Sequence, residues 1–248
     1  MRRLRKASSL TAATAACVLA FSGGAQAATF TPGPADFANC PTLPSGATKA
    51  LWQCVSVVLT NGSFKLGSRL NISIGGPIRL NAAVGIHNGK IATATGSGGS
   101  GSSTPGGDIP GIGAFSVQIQ QAGPLVVDGL VPKTIPIKIH VTGPLLGGSC
   151  YLGSDSDPIN LTPTVSGLKL QQSNGTPYVS ATIAEKTFNV PASTGCGLGG
   201  ILSALVNSFL GLPSPSGSNA VSIDAALQAK NYAFGNITNT LAATALSS

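Results

Sequence analysis

Charge is what this sequence has least of. Of its 248 residues, 8% are Asp, Glu, Lys or Arg, and Glu185 is the sole glutamate. Aromatic residues make up 5%, with one tryptophan, Trp52. Each shortage excludes something. Glycoside hydrolysis by paired acids needs two carboxyl groups flanking the bond, and the seven acids here are spread along the chain. Nucleic-acid binding needs a concentrated positive patch with rings for the bases, whereas these basic residues are scattered with no aromatics between them. Sugar binding uses exposed rings, and only Trp52, Tyr151, Tyr178 and Tyr232 have polar-tipped ones. The G-x-S-x-G elbow of serine hydrolases is missing. So is the C-x-x-C spacing of zinc sites, for which only His87 and His140 could supply imidazoles. No catalytic residue, cofactor, metal or nucleic-acid partner is expected.

What is present begins with an export signal. Arg2, Arg3, Arg5 and Lys6 precede a small-residue apolar run over 9–21, and Ala25-Gln26-Ala27 offers an A-x-A cleavage site. Residues 1–27 therefore read as a signal peptide, leaving a mature chain over 28–248. Arg2-Arg3 lacks the rest of a twin-arginine motif. Cys17 lacks a lipobox, with Thr14 where Leu belongs. Removing the leader leaves ten basic residues against seven acids. No later run has the length of a membrane span. The expected location is extracellular or at the cell envelope, with an unidentified partner there.

Four cysteines remain in the mature chain: Cys40, Cys54, Cys150 and Cys196. An even number after an export signal reads as disulfides. Three pairings are open; nearest with nearest, Cys40–Cys54 and Cys150–Cys196, is the expected one.

Alternating apolar positions separated by Gly, Pro and Asn predict many short strands. Leu70, Ile72 and Ile74 share one face, as do Phe115, Val117 and Ile119. Ile135, Ile137, Ile139 and Val141 form another such set, and Val221, Ile223, Ala225 and Leu227 a fourth. Pro136 inside its run predicts an edge strand. Three Asn-Gly pairs predict type I′ hairpins. They would pair Leu59 with Phe64 and Val57 with Leu66, Ile86 with Ile91, and Leu170 with Val179 and Leu168 with Ala181. The fold class is an antiparallel β-sandwich or barrel-like domain with two disulfides and one short helix in its C-terminal half. That helix, over 198–211, would bury Leu198, Ile201, Leu202, Leu205 and Phe209 against one end of the core and stop at Gly211 and Pro213. The Gly/Ser-rich stretch 95–108 reads as a flexible loop inside one domain.

The stretch GPLLGGSCYLGSDSDPINL, residues 143–161, holds Asp155 and Asp157 one residue apart beside Cys150. Calcium would favour such oxygens, yet the calcium-loop pattern is absent. The expectation is a cysteine-anchored turn in which the aspartates and Ser154 accept or close backbone bonds before a strand over 158–162. His140, on the polar face of its strand, and His87, beside a hairpin turn, read as exposed histidines.

PLLGGSCYLGSDSDPINLT, over 144–162, resembles the recurring core of a group of uncharacterised secreted actinobacterial proteins, roughly P-L-L-G-x-x-C-Y-[IL]-G-S…P-I-x-L-T. TFNVPASTGCG (187–197), GLPSPSGSN (211–219) and the early NCPTL…WQC are similar to other parts of that group. The resemblance implies export and a Cys150–Cys196 pair, and no reaction. Together these readings suggest a secreted, non-enzymatic structural or interaction protein. A ligand-binding module for envelope glycan or lipid is the alternative, with a hydrolase third.

Overall fold

Alternation of apolar and polar residues writes two faces onto each strand, and the chain folds so that the apolar faces of two sheets meet. The structure, a computed structural model, describes residues 30–74, 76–95 and 99–246. The expected leader and its cleavage site lie outside the described residues. Strands run β1 Trp52–Leu66, β2 Leu70–Ser73, β3 Ile78–His87, β4 Lys90–Thr95, β5 Thr104–Ile109, β6 Gly113–Gln121, β7 Val126–Asp128 and β8 Val131–Thr142. They continue as β9 Tyr151–Leu152, β10 Ile159–Leu161, β11 Thr164–Ser173, β12 Thr176–Glu185, β13 Ser193–Thr194, β14 Ala220–Asn231 and β15 Gly235–Asn236. Helix α1 spans Ser203–Leu210 and α2 spans Thr238–Leu246.

All strand pairings are antiparallel. Sheet A has the order β11-β12-β14-β1-β3-β4, with β2 on β1 and β15 on β14. Sheet B has the order β13-β9-β8-β6-β5, with β7 and β10 on β8. The four predicted apolar sets are all buried. Together with Val55, Val57, Leu59 and Phe64 of β1 they make one core between the sheets. Each fully buried Val, Leu or Ile contributes roughly 1.5–3 kcal/mol. Both expected disulfides are formed, Cys40–Cys54 and Cys150–Cys196. No helix among the described residues is long and apolar enough to cross a membrane.

Two of the three Asn-Gly turns stand. Asn88 and Gly89 both have positive φ, and Ile86 pairs with Ile91. Asn174 and Gly175 likewise turn β11 into β12, pairing Leu170 with Val179. The register of that hairpin slips between Ser166 and Lys169, so Leu168 and Ala181 are not partners. The first Asn-Gly is no turn. β1 runs straight through it, with Asn61 opposite Asp224 and Gly62 opposite Ile223, and a register shift between Leu59 and Asn61. Gly62 has φ +134° and lies so close to the Ser222 carbonyl that no Cβ would fit. The extra residue is Thr60, and this bulge just before Asn61 bends a long central strand. The hairpin comes later, between β1 and β2, with Phe64 opposite Ile72 and Leu66 opposite Leu70. Leu59 and Val57, assigned to Phe64 and Leu66 by the sequence pattern, pair instead with Ile78 and Leu80 of β3.

Three further expectations are corrected. Pro136 lies in β8, the middle of sheet B, not at an edge. It is tolerated because the β6 ladder ends at Gln121–Ile137, and beyond it the Pro136 carbonyl accepts from Ala122 N. Stretch 95–108 is not a loop throughout. Residues 104–108 belong to β5, and Ser100 bridges to Gln120 of β6. Gly99 packs against the Arg79 carbonyl too closely for any Cβ. Glycine is needed there because the β3 backbone at Arg79 and Leu80 passes so close. Finally, the helix over 198–211 starts as a 3-10 turn, Leu198–Gly200, and becomes α1 only at Ser203. Its buried residues are Val206 and Leu210, with Leu202 and Phe209 packed alongside, while Leu198, Ile201 and Leu205 face outward. The turn at Gly199, with positive φ, breaks the helical phase the spacing assumed. Helix α2, which the sequence pattern did not announce, buries Ala242.

The outer face of sheet A is covered over part of its area by residues 30–51. Asn81, Ser56 and Gln228 stand in one row across β3, β1 and β14. Asp36 sits over them, 1% exposed. Its carbonyl accepts from Ser56 Oγ at 2.7 Å and from Asn81 Nδ2 at 2.9 Å. Its carboxylate accepts from Arg79 Nε at 2.9 Å, Gln228 Nε2 at 3.2 Å and Gly33 N at 2.8 Å. The Cys40–Cys54 bridge and a bond from Tyr232 Oη to the Pro41 carbonyl, 2.6 Å, fix the segment's far end.

Burial pushes the Tyr232 hydroxyl from its ordinary 10 up to about 12. The neutral phenol is the form the fold favours. Its contribution is therefore complete below pH 10 and is lost as pH rises through about 12. Tyr232→Phe should cost about 1 kcal/mol at neutral pH by stranding the Pro41 carbonyl, and should flatten the alkaline limb of a melting-temperature profile. A variant with the wild-type alkaline limb would assign that loss of stability elsewhere.

Candidate functional site

Of the residues that drew attention in the sequence, His140, Tyr151, Asp155 and Asp157 belong to sheet B and its turns, and the first three are engaged there. Lys138 Nζ lies 2.7 Å from Asp155 Oδ1. The same ammonium lies 5.4 Å from the Tyr151 ring centre. Tyr151 pairs with His140 across β9 and β8, and the two rings stack at 4.6 Å. His140 Nε2 stands 3.0 Å from the Gly148 carbonyl, which can only accept, so Nε2 carries the proton in this contact. A base acting through Nε2 would have to break that bond. His87 ends β3 opposite Lys90 of the edge strand β4, in the other sheet.

The 153–157 turn is closed by Ser154 rather than by the aspartates. Ser154 Oγ accepts from Asp157 N at 2.9 Å, and Ser154 N donates to the Asp157 carbonyl at 2.9 Å. Asp155 turns to Lys138 instead, because an ammonium within reach is a stronger partner than a backbone amide. No hydrogen bond to the Asp157 carboxylate is present among the described residues. No three His, Cys, Asp or Glu side chains gather to hold a metal among them either. The Cys150–Cys196 bridge anchors the turn's other side, where Gly197 N donates to the Leu146 carbonyl and Cys196 N to Ser203 Oγ.

Glu185 ends β12 facing inward and is nearly buried. Burial on its own would raise its pKa. Bonds from the Thr187 hydroxyl and from the amides of Thr187, Lys186 and Thr162 outweigh that and hold it below its ordinary 4.5. It is thus a structural carboxylate, ionised and spent on its own backbone. Trp52 is fully buried with its ring over Gly85, on the same outward face of β1 as Cys54.

Sequence reasoning missed the outer face of sheet A. Beyond the part that residues 30–51 cover, the sheet is open and polar. A depression of about 650 Å³ lies there, lined by Ser63, Lys65, Arg69, Asn71, Lys186 and Ser222 among others. Three cations meet at its rim, Lys65 and Arg69 from the β1–β2 hairpin and Lys186 from the end of β12. A neighbouring groove of about 440 Å³ holds Tyr178, Lys169, Gln171 and Asp224, with Phe30 edge-on to Tyr178 at 5.2 Å. The signal available in the sequence was the outward parity of Ser63, Lys65 and Ser222 on their strands. The strand order that joins them was not readable. Comparison of the chain with protein-family models, with curated proteins and with solved structures finds no match.

Ser154→Ala should lower stability by about 1 kcal/mol, the worth of one turn-closing bond. Asp157→Ala should cost little, and Asp155→Asn less than about 1 kcal/mol, since its ion pair is exposed. Chemical denaturation of the three variants checks the order. A larger loss for Asp157→Ala than for Ser154→Ala would return the turn to the aspartates.

Proposed function

We propose that the protein is an exported, disulfide-stapled β-sandwich that works outside the cytoplasm as a structural or interaction module rather than as an enzyme. The observation that carries this reading is the pair of disulfides, which bridge all four cysteines outside the leader. Such bonds persist in oxidising compartments and are rare in the cytosol. The basic, apolar and A-x-A segments of residues 1–27 point the same way, as does the resemblance of 144–162 to secreted actinobacterial proteins.

Support for a non-catalytic role comes from where the reactive groups stand. His87 and His140 belong to different sheets. Glu185, Asp36 and Asp155 each give their oxygens to structural donors. A general base needs a free acceptor within hydrogen-bond reach of a nucleophile, and no such pair is assembled from these residues. What the molecule does present is a sheet with a broad polar face.

Expression of the full chain in a secreting host tests the reading. The released protein should begin at Ala28 and should show no titratable thiol, since both bridges would be formed. Retention of the leader, or free thiols in the exported protein, would contradict it.

A further inference from the structure

The depression on the outer face of sheet A has a construction that suits one kind of partner. Lys65 of β1 lies opposite Ala220 of β14, and Glu185 of β12 lies opposite Val221. Lys186, the next residue along, therefore flanks Ala220 from the other side. Adjacent strands are about 4.8 Å apart, so two lysines stand about 10 Å apart with an alanine between them. In the next row outward-facing Ser63 and Ser222 are partners, and Ala184 completes the row. Asn71 is opposite Lys65 on β2. The result is a floor of small and hydroxyl side chains under a cationic rim.

The rim is held in place. Arg69 rests on the Phe209 ring, 5.3 Å from its centre. The turn that carries Arg69 is fixed by Asn219, 2% exposed, whose Oδ1 accepts from Gly67 N at 2.8 Å. The same Asn219 donates to the carbonyls of Phe188 and Pro215, tying in the segments on either side of Lys186 and Ala220. Lys186 is further held by Gly217 N, which donates to its carbonyl at 3.0 Å, and by Glu185, which accepts from its amide. None of Lys65, Arg69 and Lys186 takes part in an ion pair among the described residues. The acids are accounted for. Glu185 points into the core, and Asp224 lies one outward position beyond Ser222, in the neighbouring groove. Asp36 is sealed under the covered part of the sheet. Asp108, Asp128, Asp155 and Asp157 all belong to strands and turns of sheet B. The depression thus carries three cations, and no acid lines it.

We propose that this face binds the phosphates of a polyanionic, phosphodiester-linked polymer of the cell envelope. Three cations around a floor that carries Ser63 and Ser222, two of them about 10 Å apart, fit a chain with a tetrahedral anion at each repeat, and arginine can meet such a group with two parallel bonds. A phosphodiester has more oxygens than a carboxylate to share between a cation and the hydroxyls of Ser63 and Ser222. Nucleic acid would need rings on which bases stack, and the one ring at the rim, Phe209, lies beneath Arg69. The proposal names the partner chemistry of the interaction module and rests on that reading. Its test uses purified, oxidised protein, so its failure is separate from a failure of leader removal or of disulfide formation.

The experiment is titration of the protein with poly(glycerol phosphate) over a range of salt concentrations. Wild type should bind with a log–log salt slope of about −2, the value for three contacts to a flexible chain. Lys65→Gln, Arg69→Gln and Lys186→Gln should each flatten the slope by about 0.7. The triple variant should lose binding while keeping its melting temperature, and Lys90→Gln should bind as wild type. Polygalacturonate of matched charge should bind more weakly, and poly(dT) no more tightly. Absence of binding by wild type, full binding by the triple variant, equal binding of the carboxylate polymer, or tighter binding of poly(dT) would each overturn the proposal.

Discussion

The contact on which the outer architecture depends is the buried carboxylate of Asp36. Sheet A has a polar row, Asn81, Ser56 and Gln228, across its three central strands. Left bare, such a row would be an ordinary wet surface. Covered by a chain segment, it must be satisfied by that segment, because an unpaired buried polar group costs roughly 1–3 kcal/mol. Asp36 meets the requirement with its carbonyl and both carboxylate oxygens at once. Arg79, partly exposed at the edge, brings the compensating charge. The match is incomplete: Asn81 Oδ1 and Gln228 Oε1 are buried without partners. The Cys40–Cys54 bridge keeps the segment close when that balance alone would be narrow.

This clamp decides which part of the sheet remains available. Toward Cys54 and Gln228 the outward side chains are sealed. Toward Ser63 and Ser222 the same strands continue bare, and the bulge at Thr60, just before Asn61, marks the change on β1. The bulge matters because β1 is the spine of sheet A, paired to β14, β3 and β2 in turn. An extra residue there shifts the parity, so that Phe64 and Leu66 return to the core while Ser63 and Lys65 face out. A glycine, a covered polar row and an open cationic row are three consequences of one long strand serving two surfaces.

Much of the fold is legible in the sequence because period-2 alternation is a local signal. The sets around Ile72, Val117, Ile137 and Ile223 needed no tertiary knowledge. Two Asn-Gly turns and the nearest-neighbour disulfides were equally local. The failures share a cause of the opposite kind. Reading every Asn-Gly as a turn fails at Asn61-Gly62 because β14 supplies a partner on the far side of the bulge. Pro136 sits in a central strand because its neighbour's ladder happens to stop there. Gly99 and Gly101 look like linker residues, yet their small size lets two backbones and the Ile78 side chain approach. Of the candidate site, the sequence shows the outward parity of Lys65 and Ser222 but not their adjacency to Lys186. That adjacency is a property of strand order, and strand order is set by which faces bury best together.

Hydrogen exchange on Asp36→Ala tests the central claim most directly. Removing the carboxylate leaves the partly exposed Arg79 Nε and the buried Gln228 Nε2 without their acceptor and should cost about 1–3 kcal/mol. Amides over residues 30–51 should lose protection, along with those of β1 from Trp52 to Val58. Amides of β6 and β8 in sheet B should keep theirs relative to the lowered global stability. Unchanged protection over 30–58 in the variant would contradict the account, because the segment would then be held by something other than the Asp36 clamp.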